Sequence, residues 1–440
     1  MALFGTDGVR GLANRDLTAE LALELAVAAA HILGEAGAFA GHRPKAVVGY
    51  DSRRSGEFLE SAVVAGLASA GVDVIKVGIL PTPAIAFLVK EFSADLGVMI
   101  SASHNPMPDN GIKFFDREGG KLPDAVEAAI EARIGEDWVR PIGADVGKVE
   151  SNSDALDLYG KFLLSTINHN LNSLKVIVDC ANGASSFIAP KVYEMAGAKV
   201  TAIHAAPNGI NINDNCGSTH LGDLINQVKV NGADIGIGHD GDADRCLLVN
   251  AKGEVIDGDF ILAILAKHLN QKTIVSTVMA NLGFQKAMEQ LGVEVITTAV
   301  GDRYVLEAMI AGNHLIGGEQ SGHVIFRQHA STGDGLLTAL QIMNAMVANN
   351  CSLEKLTEIM NRYPQILVNV KVTSKEKYEG NQNIKKAIQA GEIELAGNGR
   401  ILVRPSGTEN LIRVMVEAAE ESLATSIANQ ISAVVAAELS

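Results

Sequence analysis

Three carboxylates stand at alternate positions in Asp240-Gly241-Asp242-Ala243-Asp244. In an extended or tightly turned loop they can face one point, and like charges held that close need a cation among them. Hard carboxylate oxygens suit Mg2+, which keeps open positions for water or phosphate. A calcium EF-hand is excluded, because Arg245 stands where Gly is needed and Ala251 where Glu is needed. A solvated acidic turn does not usually hold three Asp on one side.

A second chemical stretch is Ser101-Ala102-Ser103-His104-Asn105-Pro106, directly after the apolar run Leu96-Gly97-Val98-Met99-Ile100. A buried strand that ends in small polar residues is where α/β proteins place their chemistry. We read Ser103 as the carrier of a phosphoryl group, with the other loops arranged to serve it. A Ser–His hydrolase fits poorly, since adjacent side chains usually diverge and no Gly-x-Ser-x-Gly elbow surrounds Ser103. Arg404-Pro405-Ser406-Gly407-Thr408, with Arg413 nearby, offers cations, hydroxyls and backbone N–H groups suited to a phosphate monoester. Glu319, Ser321 and His323 alternate with Gln320 and Gly322 and offer donors and acceptors to a polyhydroxylated molecule. Phe4-Gly5-Thr6-Asp7-Gly8-Val9-Arg10-Gly11 sets the cation Arg10 in a glycine-rich loop. Gly236-Ile237-Gly238-His239-Asp240-Gly241 matches a dinucleotide fingerprint, but an apolar strand pattern from Cys246 follows where a helix is required. No Walker sequence occurs.

The elements that must carry these loops recur. Lys45 to Asp51, a helix to Ala70, Gly71 to Val77 and then Ala94 to Ile100 lead into the Ser103 loop. Leu174 to Asp179, a helix to Ala196, Gly197 to Ile203 and Ala233 to Gly238 lead into the aspartate loop. Lys272 to Ser276, Gly292 to Thr297 and Asn313 to Gly317 lead into Gly318 to His323. Internal repetition of this kind outranks any single motif as a sign of architecture. From about Val368 the pattern changes to short strands and a terminal helix from Glu421. The expected fold is α/β: three repeated α/β domains with mixed, mostly parallel sheets, plus a smaller C-terminal α+β domain, around one central cleft. The expected domains are 1–152 with the serine loop, 153–252 with the metal loop, 253–366 with the sugar loop and 367–440 with the phosphate loop.

Bulk properties agree. At about 100–200 residues per domain, 440 residues allow two to four domains. A chain that is 47% hydrophobic and 20% charged, with 44 Gly, reads as globular with many tight turns. A net charge of −15 argues against nucleic acid or anionic membrane as a partner. An anionic small molecule then needs local Arg, Lys and N–H groups to overrule the global field. Cys180, Cys216, Cys246 and Cys351 form no Cys-x-x-Cys pair, so neither a zinc site nor a disulfide framework is signalled. The opening residues lack a secretory pattern, and a cytoplasmic setting is expected.

Together, Phe4 to Gly11, Ser101 to Pro106, Asp109-Asn110-Gly111-Ile112-Lys113-Phe114-Phe115, Asp240 to Arg245, Gly301-Asp302-Arg303-Tyr304, Gly318 to His323 and Arg404 to Thr408 resemble the α-D-phosphohexomutases along the whole chain. Gln320 resembles the glucosamine branch of that family. Met107-Pro108 and Asn410 depart from the family pattern without removing a chemical group. The resemblance implies a phosphorylated Ser103 whose phosphoryl oxygen joins Asp240, Asp242 and Asp244 on Mg2+, with Arg10 and Arg245 balancing charge. It implies reversible interconversion of glucosamine 6-phosphate and glucosamine 1-phosphate, supplying UDP-N-acetylglucosamine synthesis. Glucosamine 1,6-bisphosphate, or glucose 1,6-bisphosphate, would serve as intermediate or activator. Arg404, Ser406, Gly407, Thr408 and Arg413 would hold the unreacting phosphate, and Glu319, Ser321 and His323 the sugar hydroxyls. His104 and Lys113 are the candidates for moving the hydroxyl proton, Lys113 as a base only if Arg10 depresses its pKa. Two alternatives stand beside this reading: activity on glucose or mannose phosphates, and a phospho-sugar-binding regulator without turnover. The expected partner is the phosphorylated amino sugar, with no nucleic acid and no membrane, and a homodimer is left open.

Overall fold

The central apolar runs picked out above become strands covered on both faces, which is why they are continuous rather than alternating, while the edge strands Lys199–Ile203 and Glu294–Thr298 stay partly exposed. The computed structural model describes all residues except Met1, Ala2, Thr6, Ala40, Gly407, Thr408, Glu409 and Ser440, and the side chain of Glu376. In the first sheet the parallel core runs Leu96–Ile100, Lys45–Tyr50, Asp73–Ile79 in spatial order. The second sheet runs Ile235–His239, Lys175–Asp179, Lys199–Ile203. The third runs Ile316–Gly318, Thr273–Thr277, Glu294–Thr298. The sequence repeat is therefore a repeat of topology, with the first strand of each copy central and the later two on either side of it.

Each copy also has a return strand, of which the sequence reading reaches only the one at Cys246. Asp109–Asp116, Cys246–Asn250 and Val324–Phe326 each lie antiparallel beside the third strand of their copy. Antiparallel neighbours need only a short connection, unlike parallel ones. That connection is the chemistry-bearing loop in every case: 101–108, 240–245 and 319–323. Phe4–Gly5, Gly8–Leu12 and Val149–Ser151 complete the first sheet at its edges.

The chain packs as two compact units. Met1–Val278 with Val293–Glu358 forms one, holding these three sheets; Met279–Gly292 with Ile359–Ser440 forms the other. The second unit has an antiparallel sheet in the order Gln365–Lys371, Leu411–Ala418, Gly399–Pro405. Its helices Gln382–Leu395 and Glu421–Leu439 bury Ile384, Ile427, Ile431 and Val435 against Ile412, Val414 and Val416. The helix Leu282–Gln290 also stands in this unit, where the sequence reading has 253–366 as one domain. Asn281 caps it, its Oδ1 accepting from Gly283 N at 2.9 Å while its Nδ2 donates to Glu417 Oε1 at 3.0 Å. The expected class, three mixed α/β sheets with a smaller α+β domain, is the one observed. Among the described residues no helix is long and apolar enough to cross a membrane.

The first sheet is covered by two helices in close contact. Ala19–Glu35 starts at Thr18, whose Oγ1 accepts from Leu21 N at 3.2 Å. It packs on Ser55–Ser69, with Leu25, Leu59, Val63 and Leu67 fully buried. Gly66 sets the approach, because a Cβ there would meet Leu23 O at 2.5 Å and Ala26 Cβ at 2.9 Å. Alanine is favoured over glycine in a helix by about 1 kcal/mol, whereas overpacking a core costs about 1–3 kcal/mol. The clash involves backbone and should win, so Gly66→Ala is expected to lower the urea midpoint of unfolding. A midpoint equal to or above the parent's would mean that the helices can part at no cost.

Candidate active site

The loop after Ile100 is held in an unfavourable backbone shape. Ser103 has φ of +51°, a left-handed conformation that costs a non-glycine residue of order 1–3 kcal/mol. Its surroundings fix it there. Ser101 Oγ accepts from Ser103 N at 2.9 Å and donates to Asp51 Oδ2 at 2.6 Å. Arg53 Nη2 donates to the carbonyls of Ser103 at 3.2 Å and Asn105 at 2.6 Å. Asn213 Nδ2 donates to the same two oxygens at 2.8 and 2.9 Å. Arg53 is fully buried and ion-paired with buried Asp51. Sequence reasoning reaches none of Asp51, Arg53 and Asn213 as site residues; the available signal was charge, Asp51 and Arg53, at the end of a strand buried on both faces.

Ser103 Oγ donates to Asp240 Oδ2 at 2.5 Å and lies 3.4 Å from His104 Nδ1. The expected divergence of the two neighbouring side chains is thus corrected. Alternation belongs to extended chain, and the left-handed turn at Ser103 interrupts it. Burial, and then the cations Arg245 and Arg10, hold the His104 imidazole below its ordinary pKa.

Asp240, Asp242 and Asp244 are buried, and one oxygen from each lies within 4.8 Å of the others. Ala243 N donates to Asp240 O at 3.1 Å, and Ala243 has φ of +55°, so the loop doubles back and turns the carboxylates together. Burial pushes the Asp240 carboxyl well up, with Asp244 and Asp242 adding to it. Asp242 Oδ2 accepts from Thr82 Oγ1 at 2.6 Å and from Lys113 Nζ at 2.9 Å. Asp242 Oδ1 and Asp244 Oδ1 are buried without a hydrogen-bond partner; Arg245 Nε, at 3.6 Å from the latter, is beyond hydrogen-bond range. Orphaned buried oxygens of this kind are costly, and as an all-oxygen donor set they fit Mg2+.

Around the triad acids and bases alternate. Lys113 Nζ lies 2.9 Å from both Asp242 Oδ2 and Asp7 Oδ2. Burial opposes its charge, but Asp242, Asp7 and Asp244 outweigh burial and raise its pKa above the ordinary lysine range. The expectation that Arg10 depresses Lys113 is therefore corrected: Arg10 pairs with Asp7 itself and is outweighed by the carboxylates. Lys121 Nζ bridges Asp7 Oδ1 and Asp302 Oδ2, each at 2.6 Å. Asp7, Lys121 and Asp302 belong to the site although Lys121 carried no sequence signal.

The loop after Gly318 is a tight turn, with Gly322 N donating to Glu319 O at 3.0 Å and Glu319 N to His323 O at 2.9 Å. Extended alternation is lost, so the alternation of Glu319, Ser321 and His323 with Gln320 and Gly322 does not put the three on one face. Ser321 is exposed and Glu319 half-buried, its Oε1 accepting from Gly301 N at 3.1 Å. His323 turns inward: Nε2 accepts from Gly333 N at 3.0 Å, and Nδ1 faces Asp244 Oδ2 at 3.6 Å. Gln320 Nε2 donates to Asp259 Oδ2 at 3.0 Å. The loops of all three sheets of the first unit therefore meet at the aspartates.

In the second unit Arg404 and Arg413 are paired residues on adjacent antiparallel strands. Like charges directly opposite are destabilising, which an anion between them would relieve. Burial and Arg413 lower the Arg404 pKa. Ser406 N donates to Leu411 O at 2.9 Å. Gly407 and Thr408 lie outside the described residues.

Known proteins resemble this chain along its length. Four descriptions of phosphoglucomutase/phosphomannomutase domains match the chain: alpha/beta/alpha domain I at residues 1–138, domain II at 157–253, domain III at 257–363, and the C-terminal domain at 367–434. A phosphoglucosamine mutase of Acidothermus cellulolyticus is 55% identical over 439 residues, covering 98% of this chain and 95% of the relative. One from Streptomyces griseus is 55% identical over 448 residues, covering 99% of each. The crystal structure of a phosphoglucomutase/phosphomannomutase family protein from Burkholderia thailandensis superposes with a TM-score of 0.81 at 22% identity, covering 99% of this chain and 97% of the other. With every domain matched in order, the chain belongs to the phosphoglucomutase/phosphomannomutase family, the α-D-phosphohexomutases, and is an isomerase.

Proposed function

We propose that the chain interconverts glucosamine 6-phosphate and glucosamine 1-phosphate through phosphorylated Ser103. The observation that carries this reading is Ser103 Oγ at 2.5 Å from Asp240 Oδ2, beside two buried aspartate oxygens without hydrogen-bond partners. The amino sugar is favoured by the full-length likeness to phosphoglucosamine mutases at 55% identity. In this reading the domains 1–152, 153–252, 253–366 and 367–440 supply the serine, metal, sugar and phosphate loops in turn. The product would feed cytoplasmic UDP-N-acetylglucosamine synthesis.

In the first half-reaction the Ser103 Oγ–P bond breaks as a P–O bond forms to the free sugar hydroxyl, whose proton ends on Ser103 Oγ, giving a 1,6-bisphosphate. In the second, Ser103 Oγ bonds to the other phosphoryl group as that group's P–O bond to the sugar breaks, the seryl proton ends on the freed sugar oxygen, and the product leaves. His104, neutral and 3.4 Å from Ser103 Oγ, takes the seryl proton in that attack and returns it in the reverse step. Lys113 remains an ammonium and contributes fixed charge rather than acting as a base. Arg53 and Asn213 keep the Ser103 loop aimed, since phosphoryl transfer rests on position and charge more than on covalent help. Mg2+ held by Asp240, Asp242 and Asp244 would neutralise phosphoryl oxygens when bound. Arg10 and Arg245 add positive charge. Glu319 and Ser321 are the side chains offered to sugar hydroxyls, while His323 faces Asp244. Arg404, Ser406 and Arg413 are the phosphate-binding groups of the second unit.

A coupled assay with Mg2+ and a trace of 1,6-bisphosphate tests the reading by comparing glucosamine 6-phosphate with glucose 1-phosphate and mannose 1-phosphate. Preference for the amino sugar is expected, and Ser103→Ala is expected to abolish turnover. Preference for a neutral hexose would overturn the substrate, and turnover by Ser103→Ala the mechanism.

The His104 assignment predicts a pH limb. Protonated imidazole cannot accept the seryl proton, so rephosphorylation of the dephospho-enzyme by bisphosphate should fall with falling pH. The fall should lie below the ordinary imidazole value of about 6.5. His104→Gln should slow the step by about 10²–10⁴-fold and remove the limb. A parent profile flat through the acid range would sink the assignment.

Metal binding should release a proton. Burial holds the Asp240 carboxyl in its protonated form to higher pH than usual, and its negative neighbours reinforce this. A cation must displace that proton, so Mg2+ affinity should rise with pH until Asp240 is ionised without it. Calorimetry in buffers of different ionisation enthalpy reads the released proton directly. Identical heats in all buffers below neutrality would refute it.

A further inference from the structure

The second sheet carries another set of metal-ligating groups that the phosphoryl chemistry does not use. Asp179 ends the strand Lys175–Asp179, and His204 follows the neighbouring parallel strand Lys199–Ile203. Asp240 follows Ile235–His239, the parallel neighbour on the other side. Both sets thus stand at the carboxyl ends of parallel strands, where α/β sheets place ligands. Cys216 comes to the first two from a later loop, and one ligand atom from each of Asp179, His204 and Cys216 lies within 4.8 Å of the others.

The three ligand atoms are near enough for a tetrahedral ion to draw them together. Bonds of about 2.0–2.1 Å to nitrogen and oxygen and about 2.3 Å to sulfur set ligand atoms roughly 3.3–3.6 Å apart. His204 Nδ1 and Asp179 Oδ2 are 3.0 Å apart, so a small opening admits the ion. The imidazole stands between two carboxylates. His204 Nε2 faces Asp223 Oδ2 at 3.3 Å while Nδ1 faces Asp179 Oδ2. A neutral ring has one N–H. With that hydrogen on Nδ1 the ring donates to Asp179 Oδ2, which also accepts from Gly217 N at 3.0 Å; an entering ion takes the place of the ring hydrogen between Nδ1 and Oδ2, and the hydrogen moves to Nε2 on the Asp223 side. A carboxylate on the far nitrogen is how metal-bound histidines are oriented. Asp179 and Cys216 are fully buried, whereas the His204 side chain is 26% exposed and gives an ion its approach.

We propose that Asp179, His204 and Cys216 form a second metal site, which takes a Zn2+-class ion in preference to Mg2+. Its mixed oxygen, nitrogen and sulfur set suits such an ion, while the three aspartates suit Mg2+. On binding, the Cys216 thiol releases its proton to solvent and its sulfur joins the ion as thiolate. The site reaches the Ser103 loop in a few steps. Asp179 Oδ1 accepts from Ala181 N at 2.9 Å, Ala181 O accepts from Asn213 N at 2.9 Å, and Asn213 holds the Ser103 and Asn105 carbonyls.

The test is to titrate Co2+, a spectroscopic substitute for Zn2+, into the full-length, reduced protein kept saturated with Mg2+. One equivalent should give the intense charge-transfer absorption of a cobalt–thiolate bond, which Zn2+ removes and further Mg2+ does not. Cys216→Ser should lack the band. His204→Gln should bind Co2+ at least about tenfold more weakly, with metal-free thermal unfolding of both variants matched to the parent as a check of folding. No band in the parent, a band that survives Cys216→Ser, or a band lost to Mg2+ would each overturn the site.

Discussion

Three aspartates buried within reach of one another set the terms for the rest of the active site. A buried carboxylate is tolerated only when paired or ligating, and Asp240, Asp242 and Asp244 cannot satisfy one another. The response is layered. Lys113 and Thr82 take one oxygen of Asp242, the Ser103 hydroxyl and the Arg245 amide take Asp240, and His323 faces Asp244. The oxygens of Asp242 and Asp244 left over are the ones a cation would use. The next layer exists because of the first: Lys113 brings in Asp7, which brings in Arg10 and Lys121, which brings in Asp302.

Topology makes that convergence cheap. In each repeated sheet the third strand of the copy is followed by an antiparallel return, so a hairpin loop stands at the end of a rigid, fully covered strand. Hairpin loops are short and anchored at both ends, which suits groups that must be held to a fraction of an ångström. The Ser103 loop goes further and accepts a left-handed serine, clamped from one side by Arg53 of the first sheet's chain segment and from the other by Asn213 of the second's. Strain held this firmly keeps Ser103 Oγ against Asp240.

Much of this was legible in the residues, and the parts that were not share a cause. Long apolar runs named the central parallel strands because burial on both faces leaves no alternation to misread. The aspartates and Ser103 were legible because their types and spacing have few structural uses. What escaped was set by backbone direction. The nearness of His104 to Ser103, and the inward turn of His323, follow from left-handed or tightly turned residues, and a one-dimensional pattern treats such segments as extended. Lys113 was named but given the wrong electrostatic neighbour: Arg10 was weighed alone, while Asp7 and Asp242 each stand 2.9 Å from its Nζ. Asn213 had no signal at all: a lone asparagine in a polar loop is the commonest of surface features.

An acidic protein of net charge −15 must still draw an anionic sugar phosphate to this place. The local balance differs from the global one. Asp7, Asp240, Asp242, Asp244 and Asp302 face Arg10, Lys113, Lys121 and Arg245, an excess of one negative charge when all are ionised. A divalent cation makes the cluster positive by one, and a phosphoryl group on Ser103, worth about −1.5 to −2, makes it negative again. The dephosphorylated state would then attract a bisphosphate, and the phosphorylated state would hold a monoester less tightly by charge alone. On that footing the sign of the cluster changes with each half-reaction, and the four basic side chains are as much a part of the cycle as the serine they surround.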